Sequence, residues 1–266
     1  MRSLKTLMDL TGRVALLAGG GHIGKASAGA LAELGASVAV LDVSETACRT
    51  LAEEIHATYG VPTMSLVTDL ADEAAVRRVP ERIAAEWGRL DIVLHGAALV
   101  GTSDLEGWVG PFEKQRAETW RQALEVNLTS AFVLTQAATP LLERSGHGSV
   151  VFISSIYGLV GPDMRLYEGT PLGNPVAYAA SKGGLLQLMR WLSTVLAPAV
   201  RVNAISPGGV ERGQPPEFQA RYVERTPLGR MATEEDLKGA VAYLASDLSG
   251  YVTGQNLVVD GGWTAW

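Results

Sequence analysis

A tyrosine and a lysine four residues apart are the side chains best suited to acid/base chemistry in this sequence. Tyr178 and Lys182 stand in Tyr-Ala-Ala-Ser-Lys at the head of a predicted helix, where one turn puts both side chains on one face. A phenol has an ordinary pKa of about 10, so proton transfer near neutral pH requires a lower value, and a nearby ammonium group favours the phenolate. A bare pair of this spacing is more often a surface pair than a site.

Other polar residues accompany this pair. Ser154 and Ser155 end a predicted strand, where a hydroxyl would point into a ligand crevice instead of the core. Asn127 lies in Glu-Val-Asn-Leu within a predicted helix. Because asparagine is a mediocre helix former, its position between apolar neighbours suggests a specific hydrogen-bonding role.

A glycine-rich loop follows the first predicted strand and precedes a helix. It reads Gly19-Gly20-Gly21-His22-Ile23-Gly24 and satisfies G-x-G-x-x-G at Gly19, Gly21 and Gly24. Such a loop turns tightly and brings backbone N–H groups to a pyrophosphate at the helix N-terminus. The sequence contains 30 glycines, so an ordinary turn is the alternative interpretation of the loop taken alone.

An acidic residue ends the second predicted strand. Asp42 stands in Val-Leu-Asp-Val-Ser, and no Arg or Lys follows it until Arg49. A carboxylate at this place accepts hydrogen bonds from the ribose hydroxyls of an adenosine and repels a 2′-phosphate. The sequence therefore predicts NAD and not NADP, the alternative being a solvated Asp that starts a turn.

Apolar, β-branched runs alternate with helix-length amphipathic segments along the whole chain. Seven strands are predicted, at 13–17, 37–41, 63–67, 91–94, 149–153, 201–205 and 256–259, and six helices, at 22–34, 45–59, 72–87, 118–144, 177–197 and 234–246. This alternation predicts one domain over 1–266, an α/β fold with a doubly wound, Rossmann-like parallel sheet of seven strands. Three irregular stretches, 99–116, 158–176 and 207–233, follow strand carboxyl ends, the side where ligands bind in such sheets.

Composition excludes several other classes of protein. The chain has 266 residues, is 47% hydrophobic and carries a net charge of −6, with its basic residues scattered, so nucleic acid is not an expected partner. No apolar run approaches about 18 residues, so no membrane span is expected. A single cysteine, Cys48, and the absence of a signal-like segment before Asp9 predict a cytoplasmic protein.

At the glycine loop, Asp42, Asn127, Ser155 and the pair Tyr178 and Lys182, the sequence resembles the short-chain dehydrogenase/reductase family, in its single-domain branch. The resemblance covers nearly the whole chain. Besides the features above, it includes Asp69 in Thr-Asp-Leu, His95-Gly96-Ala97-Ala98, Ile-Ser-Ser at 153–155, Ser206-Pro207-Gly208, Tyr-Val-Thr-Gly-Gln at 251–255 and Val-Asp-Gly-Gly at 259–262.

The resemblance implies roles for individual residues. Tyr178 would be the acid/base, Lys182 would lower its pKa and hold the nicotinamide ribose, Ser155 would polarise the substrate oxygen, and Asn127 would keep a proton-relay water in place. Ser155 takes this role because it is the second serine, three residues before Gly158, and Ser154 would be structural. The expected NAD-binding residues, with Asp69 meeting the adenine, are Gly19, Gly21, His22, Ile23, Gly24, Asp42, Asp69, Leu70, Gly96, Ala97, Tyr178, Lys182, Pro207 and Gly208, and no metal site is expected.

Two departures from the family pattern concern the cofactor end. The family usually writes its loop T-G-x-x-x-G-x-G, and aligned back from Gly24 this chain has Leu17, Ala18 and His22 for the Thr and the first two Gly. At the fourth strand the usual Asn-Asn-Ala-Gly is replaced by the segment that begins with His95. His95 is interpreted as a structural hydrogen-bonding substitute or, less favoured, as a contributor near the nicotinamide.

The third departure is a longer segment between Ser155 and Tyr178. These residues are 23 apart, about ten more than the family commonly has, and the extra segment carries the candidate substrate-binding residues Asp163, Arg165, Tyr167 and Glu168. Convergent polar groups favour a sugar, polyol, sugar acid or nucleotide-linked sugar as substrate. The alternative, nearly as well supported, is that the segment packs on a neighbouring subunit.

Together these features predict an NAD(H)-dependent oxidoreductase that interconverts a secondary alcohol and a ketone. The alternatives are a 3-oxoacyl-thioester reductase and a non-catalytic, nucleotide-sensing homologue. Trp263 and Trp266 would be costly to expose, and the family implies that this end lies at an interface, so we expect a homotetramer.

Overall fold

Seven parallel strands form the centre of the protein in the order β3-β2-β1-β4-β5-β6-β7. The computed structural model describes residues 1–266, and its strands are β1 Val14–Ala18, β2 Ser37–Asp42, β3 Thr63–Val67, β4 Ile92–His95, β5 Gly148–Ile153, β6 Val200–Pro207 and β7 Asn256–Val259. The predicted doubly wound parallel sheet is confirmed. The chain order reverses between β1 and β4, which opens a crevice at the carboxyl ends of these two strands.

Nine α-helices surround the sheet. They are α1 Leu4–Met8, α2 His22–Glu33, α3 Glu45–Tyr59, α4 Glu73–Trp87, α5 Ala117–Leu124, α6 Ser130–Ser145, α7 Val176–Val195, α8 Pro216–Glu224 and α9 Lys238–Ala245. Helices α2, α3 and α9 cover one face of the sheet, and α4, α6 and α7 cover the other.

Strand β1 illustrates how both faces of the sheet are buried. Leu16 and Ala18 pack among the side chains of α4, α6 and α7, whereas Ala15 and Leu17 pack among those of α2, α3 and α9. A strand between two helical layers has no solvent face, so its sequence is continuously apolar. The same burial fixes the positions of the strand ends, and with them the positions of the polar residues that follow.

The helix predicted over 118–144 is interrupted. Helices α5 and α6 are joined by a π-helical segment, Glu125–Thr129, which adds one residue to a turn around Asn127. This interruption was not predicted, because a single wide turn leaves the apolar periodicity on both sides nearly intact.

The stretch 207–233 is not wholly irregular as predicted, because it contains α8. Pro215 and Pro216 gave the stretch the composition of a loop, but Pro216 occupies the first helical position, where a missing N–H group costs nothing. The stretch 158–176 contains a short 3₁₀ turn, Met164–Tyr167. None of the helices is long and apolar enough to cross a membrane.

Candidate active site

The glycine loop after β1 is too tightly packed for side chains at two positions. Gly19 has a φ of +101°, and a Cβ atom there would lie 2.5 Å from the backbone nitrogen of Ala97. A Cβ atom on Gly24 would lie 1.9 Å from the carbonyl oxygen of Gly19. These two glycines let α2 begin directly against the loop.

The loop presents an open cradle toward the crevice. Gly21 is the N-cap of α2 and supplies no side-chain cap, so the first N–H groups of the helix remain available to a ligand. A Cβ atom on Gly21 would meet nothing within 4 Å. Free N–H groups at a helix N-terminus beside open space fit a pyrophosphate, so the residues present are suited to a dinucleotide.

Asp42 ends β2 beside this loop. Its Oδ2 atom accepts a hydrogen bond of 2.8 Å from the N–H of Gly20, and its Oδ1 atom accepts one of 3.0 Å from the N–H of Ser44. The carboxylate thus holds the glycine loop and also faces the crevice. Each carboxylate oxygen has a further lone pair for a ribose hydroxyl.

The other residues expected at the cofactor end mostly line the same crevice, which has a volume of about 1040 Å³. Those that line it are Gly19, Gly21, His22, Ile23, Gly24, Asp42, Asp69, Leu70, Gly96, Ala97 and Gly208. Pro207 is buried at the end of β6 and does not reach the crevice. Asp69 Oδ1 accepts a hydrogen bond of 2.9 Å from the N–H of Ala71, which orients its carboxylate.

Tyr178 lies in the first turn of α7 and lines the crevice together with Ser155. Burial raises the pKa of Tyr178, and the nearby Ser155 hydroxyl opposes part of that rise. Ser155 itself follows β5, and its Oγ atom accepts a hydrogen bond of 3.1 Å from the N–H of Tyr157. The serine hydroxyl and the phenol are therefore neighbours at the carboxyl end of the sheet.

Lys182 lies one turn after Tyr178 and is almost completely buried. Its Nζ atom lies 5.5 Å from the centroid of the Tyr178 ring and donates a hydrogen bond of 2.8 Å to the carbonyl oxygen of Ile153. Burial lowers the pKa of Lys182 to about 8. Ser154 donates a 2.9 Å hydrogen bond to the carbonyl oxygen of Lys182, so it ties β5 to α7.

Asn127 does not line the crevice but connects three segments behind it. Its Oδ1 atom accepts a hydrogen bond of 2.7 Å from the N–H of Leu99, and its Nδ2 atom donates to the carbonyl oxygen of Leu99 and to Ser181 Oγ, each at 3.1 Å. The π-helical turn directs this amide toward the loop after β4 and toward α7. Asn127 therefore fixes the distance between that loop and the helix that carries Tyr178.

His95, for which two interpretations remained open, is buried at the end of β4 and does not line the crevice. Its Nε2 atom lies 2.7 Å from Ser130 Oγ, and Ser130 donates its own proton to the carbonyl oxygen of Val126. Nε2 must then be the donor to Ser130. Burial lowers the pKa of His95 to about 3, with a smaller contribution from Lys182, so the ring is neutral. These contacts fit the structural interpretation.

The segment 158–176 contributes one of its four candidate residues to the crevice. Tyr167 lines it and places its hydroxyl 2.8 Å from that of Tyr157. Asp163 pairs with Arg165 and Arg225, Arg165 is exposed, and Glu168 lies outside the crevice. These three polar residues are therefore not gathered around the space beside Tyr178.

Ion pairs and hydrogen bonds fasten this segment to the region of α8. Arg225, just after α8, pairs with Asp163, and Arg221 on α8 donates to the carbonyl oxygens of Arg165, Leu166 and Glu168. The charges of the segment thus hold it against its own chain.

A protein-family model described as enoyl-(acyl carrier protein) reductase matches residues 18–264 of this chain. The chain belongs to the short-chain dehydrogenase/reductase family. It is 34% identical over 262 residues to a cis-4-hydroxycyclohexanecarboxylate dehydrogenase of Sinomonas cyclohexanicum, covering 95% of this chain and 97% of the relative. It is also 34% identical to a probable galactose dehydrogenase of Rhizobium meliloti, with 96% of each chain covered.

Solved structures agree with this membership. A short-chain dehydrogenase of Leptospira borgpetersenii with bound NAD⁺ superposes with a TM-score of 0.82 at 29% identity, covering 99% of this chain and 96% of that one. A gluconate 5-dehydrogenase of Burkholderia cenocepacia in complex with NADP and tartrate gives a TM-score of 0.85 at 28% identity, covering 99% and 100%. This short-chain dehydrogenase/reductase is thus an oxidoreductase that acts between an alcohol and a ketone with a nicotinamide cofactor.

Sequence reasoning missed most of the substrate side of this dehydrogenase/reductase. An aromatic wall, defined as Tyr157, Tyr167, Phe218 and Tyr222 with Trp263 behind it, has ring centroids 5.4 to 6.3 Å apart. The other missed lining residues include Asn174, Arg212, Gln214 and Met231. Arg212, Gln214 and Met231 belong to the predicted loop 207–233. The rings of the aromatic wall are far apart in the sequence, and only the tertiary structure brings them together. Trp263 is buried in this wall and Trp266 is exposed.

Proposed function

We propose that this protein is an NAD-dependent dehydrogenase that interconverts a secondary alcohol and a ketone on a compact, ring-shaped, hydroxylated substrate. The observation that carries the proposal is that Tyr178 and Ser155 line the same crevice as the glycine loop and the aromatic wall, with the buried Lys182 against the Tyr178 ring. A phenol and a hydroxyl that meet at one point can bind and deprotonate a substrate oxygen. The glycine loop supplies a dinucleotide site within the same crevice.

In the oxidative direction, Tyr178 removes the proton of the substrate hydroxyl and Ser155 holds the oxygen by a hydrogen bond. A nicotinamide held in the crevice would supply the acceptor for the hydride of the carbinol carbon. Lys182 lies under the Tyr178 ring and, when protonated, favours the phenolate electrostatically. Asn127 acts as a positioning residue through its hydrogen bonds to Leu99 and Ser181.

The choice of NAD over NADP rests on Asp42. Its carboxylate lines the crevice at the end of β2, and a 2′-phosphate there would meet a negative charge. Because NAD⁺ is bound in one solved relative and NADP in another, this electrostatic argument is specific to the present chain.

Substrate shape follows from the aromatic wall. Flat aromatic faces pack well against the C–H faces of a six-membered ring, whether a sugar or a cyclohexane. The two sequence relatives are named for galactose and for a hydroxycyclohexanecarboxylate, and both compounds carry hydroxyl groups on such a ring. Tyr157, Tyr167 and Asn174 add polar groups for further hydroxyls, which keeps sugars and sugar acids within the proposed class.

We also propose that the protein works as a cytoplasmic homotetramer. Support comes from large apolar side chains left exposed on a single chain, among them Trp191 on α7 at 58%, Phe132 on α6 at 41% and Trp266 at 78%. Light scattering after gel filtration measures the mass directly. A monomer at micromolar concentration would contradict the tetramer.

The decisive experiment is a substrate panel. Purified protein with NAD⁺ is offered cyclohexanols, sugars, sugar acids, open-chain polyols and 3-hydroxyacyl thioesters, and the formation of reduced nicotinamide is followed. We expect the highest kcat/KM among six-membered-ring alcohols. A preference for the 3-hydroxyacyl thioesters would instead favour the reductase alternative, and no turnover of any alcohol would favour a nucleotide-sensing homologue.

A further inference from the structure

One arginine side chain, that of Arg212, lines the crevice. The carboxylates that line the crevice are Asp42 at the end of β2 and Asp69 after β3, whereas Arg212 lies in the loop between β6 and α8. Glu234, the ion-pair partner of Arg212, also has its Oε1 atom 3.9 Å from Nδ1 of His22 in the glycine loop. Arg212 is close enough to Tyr178 to favour the ionised phenol. Any anionic substrate bound beside Tyr178 therefore has a guanidinium group within the same space.

The loop that carries Arg212 is braced on both sides. Glu211 N–H donates to the carbonyl oxygen of Ala232 at 2.8 Å, and Arg212 N–H donates to Gln214 Oε1 at 2.7 Å. Gln214 in turn donates through Nε2 to the carbonyl oxygen of Val210 at 2.7 Å. The position of the Arg212 backbone is thus fixed without a ligand.

The guanidinium group is held in a defined orientation as well. Its Nε atom donates to Glu234 Oε1 at 3.0 Å, and the structure gives its two terminal nitrogens no hydrogen-bond partner. These nitrogens form the planar, forked donor pair that matches a carboxylate. The side chain is about one third exposed at 36%, so a ligand can reach it from the crevice.

We propose that Arg212 binds the carboxylate of the substrate and makes this enzyme selective for ring-shaped hydroxy acids. The proposal rests on the function proposed above and narrows it to one substrate class. The ring would pack on the aromatic wall, the hydroxyl would meet Tyr178 and Ser155, and the carboxylate would meet Arg212. A neutral substrate of the same shape leaves the two terminal nitrogens of Arg212 unpaired in a partly desolvated site, which disfavours it.

Binding of unreactive ligands tests this proposal without turnover. Cyclohexanecarboxylate and cyclohexanecarboxamide share a ring but differ in charge, and neither has a hydroxyl group to oxidise. We expect calorimetry on the NAD⁺-loaded protein to give a roughly 10- to 100-fold tighter Kd for the carboxylate. Arg212→Gln should reduce this ratio to about 1, and Arg212→Lys should restore part of it because the charge returns without the fork.

A matched control separates a local effect from a change in net charge. Arg78 is exposed on α4, and Arg78→Gln removes the same charge elsewhere on the surface. This variant should keep the wild-type ratio of the two Kd values. The Kd of NAD⁺, measured on Arg212→Gln without either ring ligand, should stay within about twofold of wild type.

Several results would overturn the proposal. If Arg212→Gln weakens NAD⁺ tenfold and leaves the ligand ratio intact, the guanidinium serves the cofactor pyrophosphate. Equal binding of the two ligands by the wild type, or binding of neither, also refutes the assignment. The proposed function fails separately: turnover of neutral ring alcohols without preference for acids contradicts only the role of Arg212, whereas absence of turnover contradicts the dehydrogenase itself.

Discussion

The Nζ atom of Lys182 lies 5.5 Å from the centroid of the Tyr178 ring and is hydrogen-bonded to the carbonyl oxygen of Ile153. Burial acts on both groups in the direction of neutrality, because it raises the pKa of Tyr178 and lowers that of Lys182 to about 8. The pKa of Tyr178 is therefore raised by burial, not lowered as the neighbouring lysine led us to expect. The two groups form a neutral pair near pH 9, and a protonated lysine beside a neutral phenol at lower pH.

The buried lysine should make stability depend on pH. Its pKa of about 8 in the folded protein lies below the value of about 10.4 expected in the unfolded chain. Between these two values the unfolded chain binds more protons than the folded protein, so the free energy of unfolding rises with pH. The destabilisation caused by burying Lys182 is therefore greatest below about pH 8. Urea unfolding of wild type and Lys182→Met at pH 7.5, 8.5 and 9.5 gives the free energy of unfolding of each protein. The difference between the two free energies should shrink as the pH rises. A difference in the free energy of unfolding that stays constant with pH would contradict the buried-lysine interpretation.

Tyr178→Phe should separate chemistry from binding. The substitution removes the proposed proton acceptor and hardly changes volume, so the protein should fold and bind NAD⁺ with wild-type affinity. Turnover should fall by roughly 10²- to 10⁴-fold, the range of a positioned acid/base. Stopped-flow measurement of reduced nicotinamide with the best substrate of the panel checks this. Near wild-type turnover would remove Tyr178 from the mechanism.

Two glycines of the cofactor loop should respond differently to a methyl group. Gly24→Ala places a Cβ atom 1.9 Å from the carbonyl oxygen of Gly19 and should cost at least about 3 kcal/mol in the free energy of unfolding. Gly21→Ala places it in open space and should change stability by less than about 1 kcal/mol, yet weaken NAD⁺ because the methyl enters the cradle. Thermal unfolding and NAD⁺ titration of both variants measure the contrast. Similar destabilisation of both would show that the cradle is not open.

Cofactor preference should change with Asp42. Asp42→Asn removes the charge that opposes a 2′-phosphate and one acceptor for ribose, so the ratio of the Kd values for NADP⁺ and NAD⁺ should fall by roughly 10- to 100-fold. The substitution also removes one of the two hydrogen bonds from the N–H groups of Gly20 and Ser44, because the Nδ2 group of asparagine cannot accept, and a comparison of melting temperatures measures this loss. Wild-type protein that binds both cofactors equally would refute the electrostatic argument.

The segment before α7 offers a matched pair of substitutions. Tyr167→Phe removes a hydroxyl from the crevice and should raise KM about three- to tenfold. Arg165→Ala removes a side chain that is 79% exposed and outside the crevice, so KM should change less than about twofold. Steady-state kinetics with the best ring alcohol decides between them. An equal rise in KM for both variants would show that the charges of this segment contribute to substrate binding.

The sheet and the cofactor end could be predicted because their signals are local. Strands buried on two faces are continuously apolar, and the glycine loop and Asp42 follow such strands directly. The aromatic wall joins residues from the segment after β5, from α8 and from the chain end, and no local pattern indicates that they meet. The charges in the segment 158–176 led to the prediction of a polar site. In the structure Arg221 and Arg225 bind this segment to the region of α8, so its charges do not indicate a substrate site.

The wide turn at Asn127 has a consequence for how this chain tolerates changes of length. A residue removed from Glu125–Thr129 would turn the π-helical segment into ordinary helix. Because the wide turn uses one residue more than an α-helical turn for about the same rotation, α5 and α6 would keep their relative orientation, but the side chain of Asn127 would change direction. The asparagine would remain in the sequence but would no longer face Leu99 and Ser181. Single-residue deletions there should therefore be as damaging as replacement of Asn127 itself, although every side chain implicated in chemistry would be preserved.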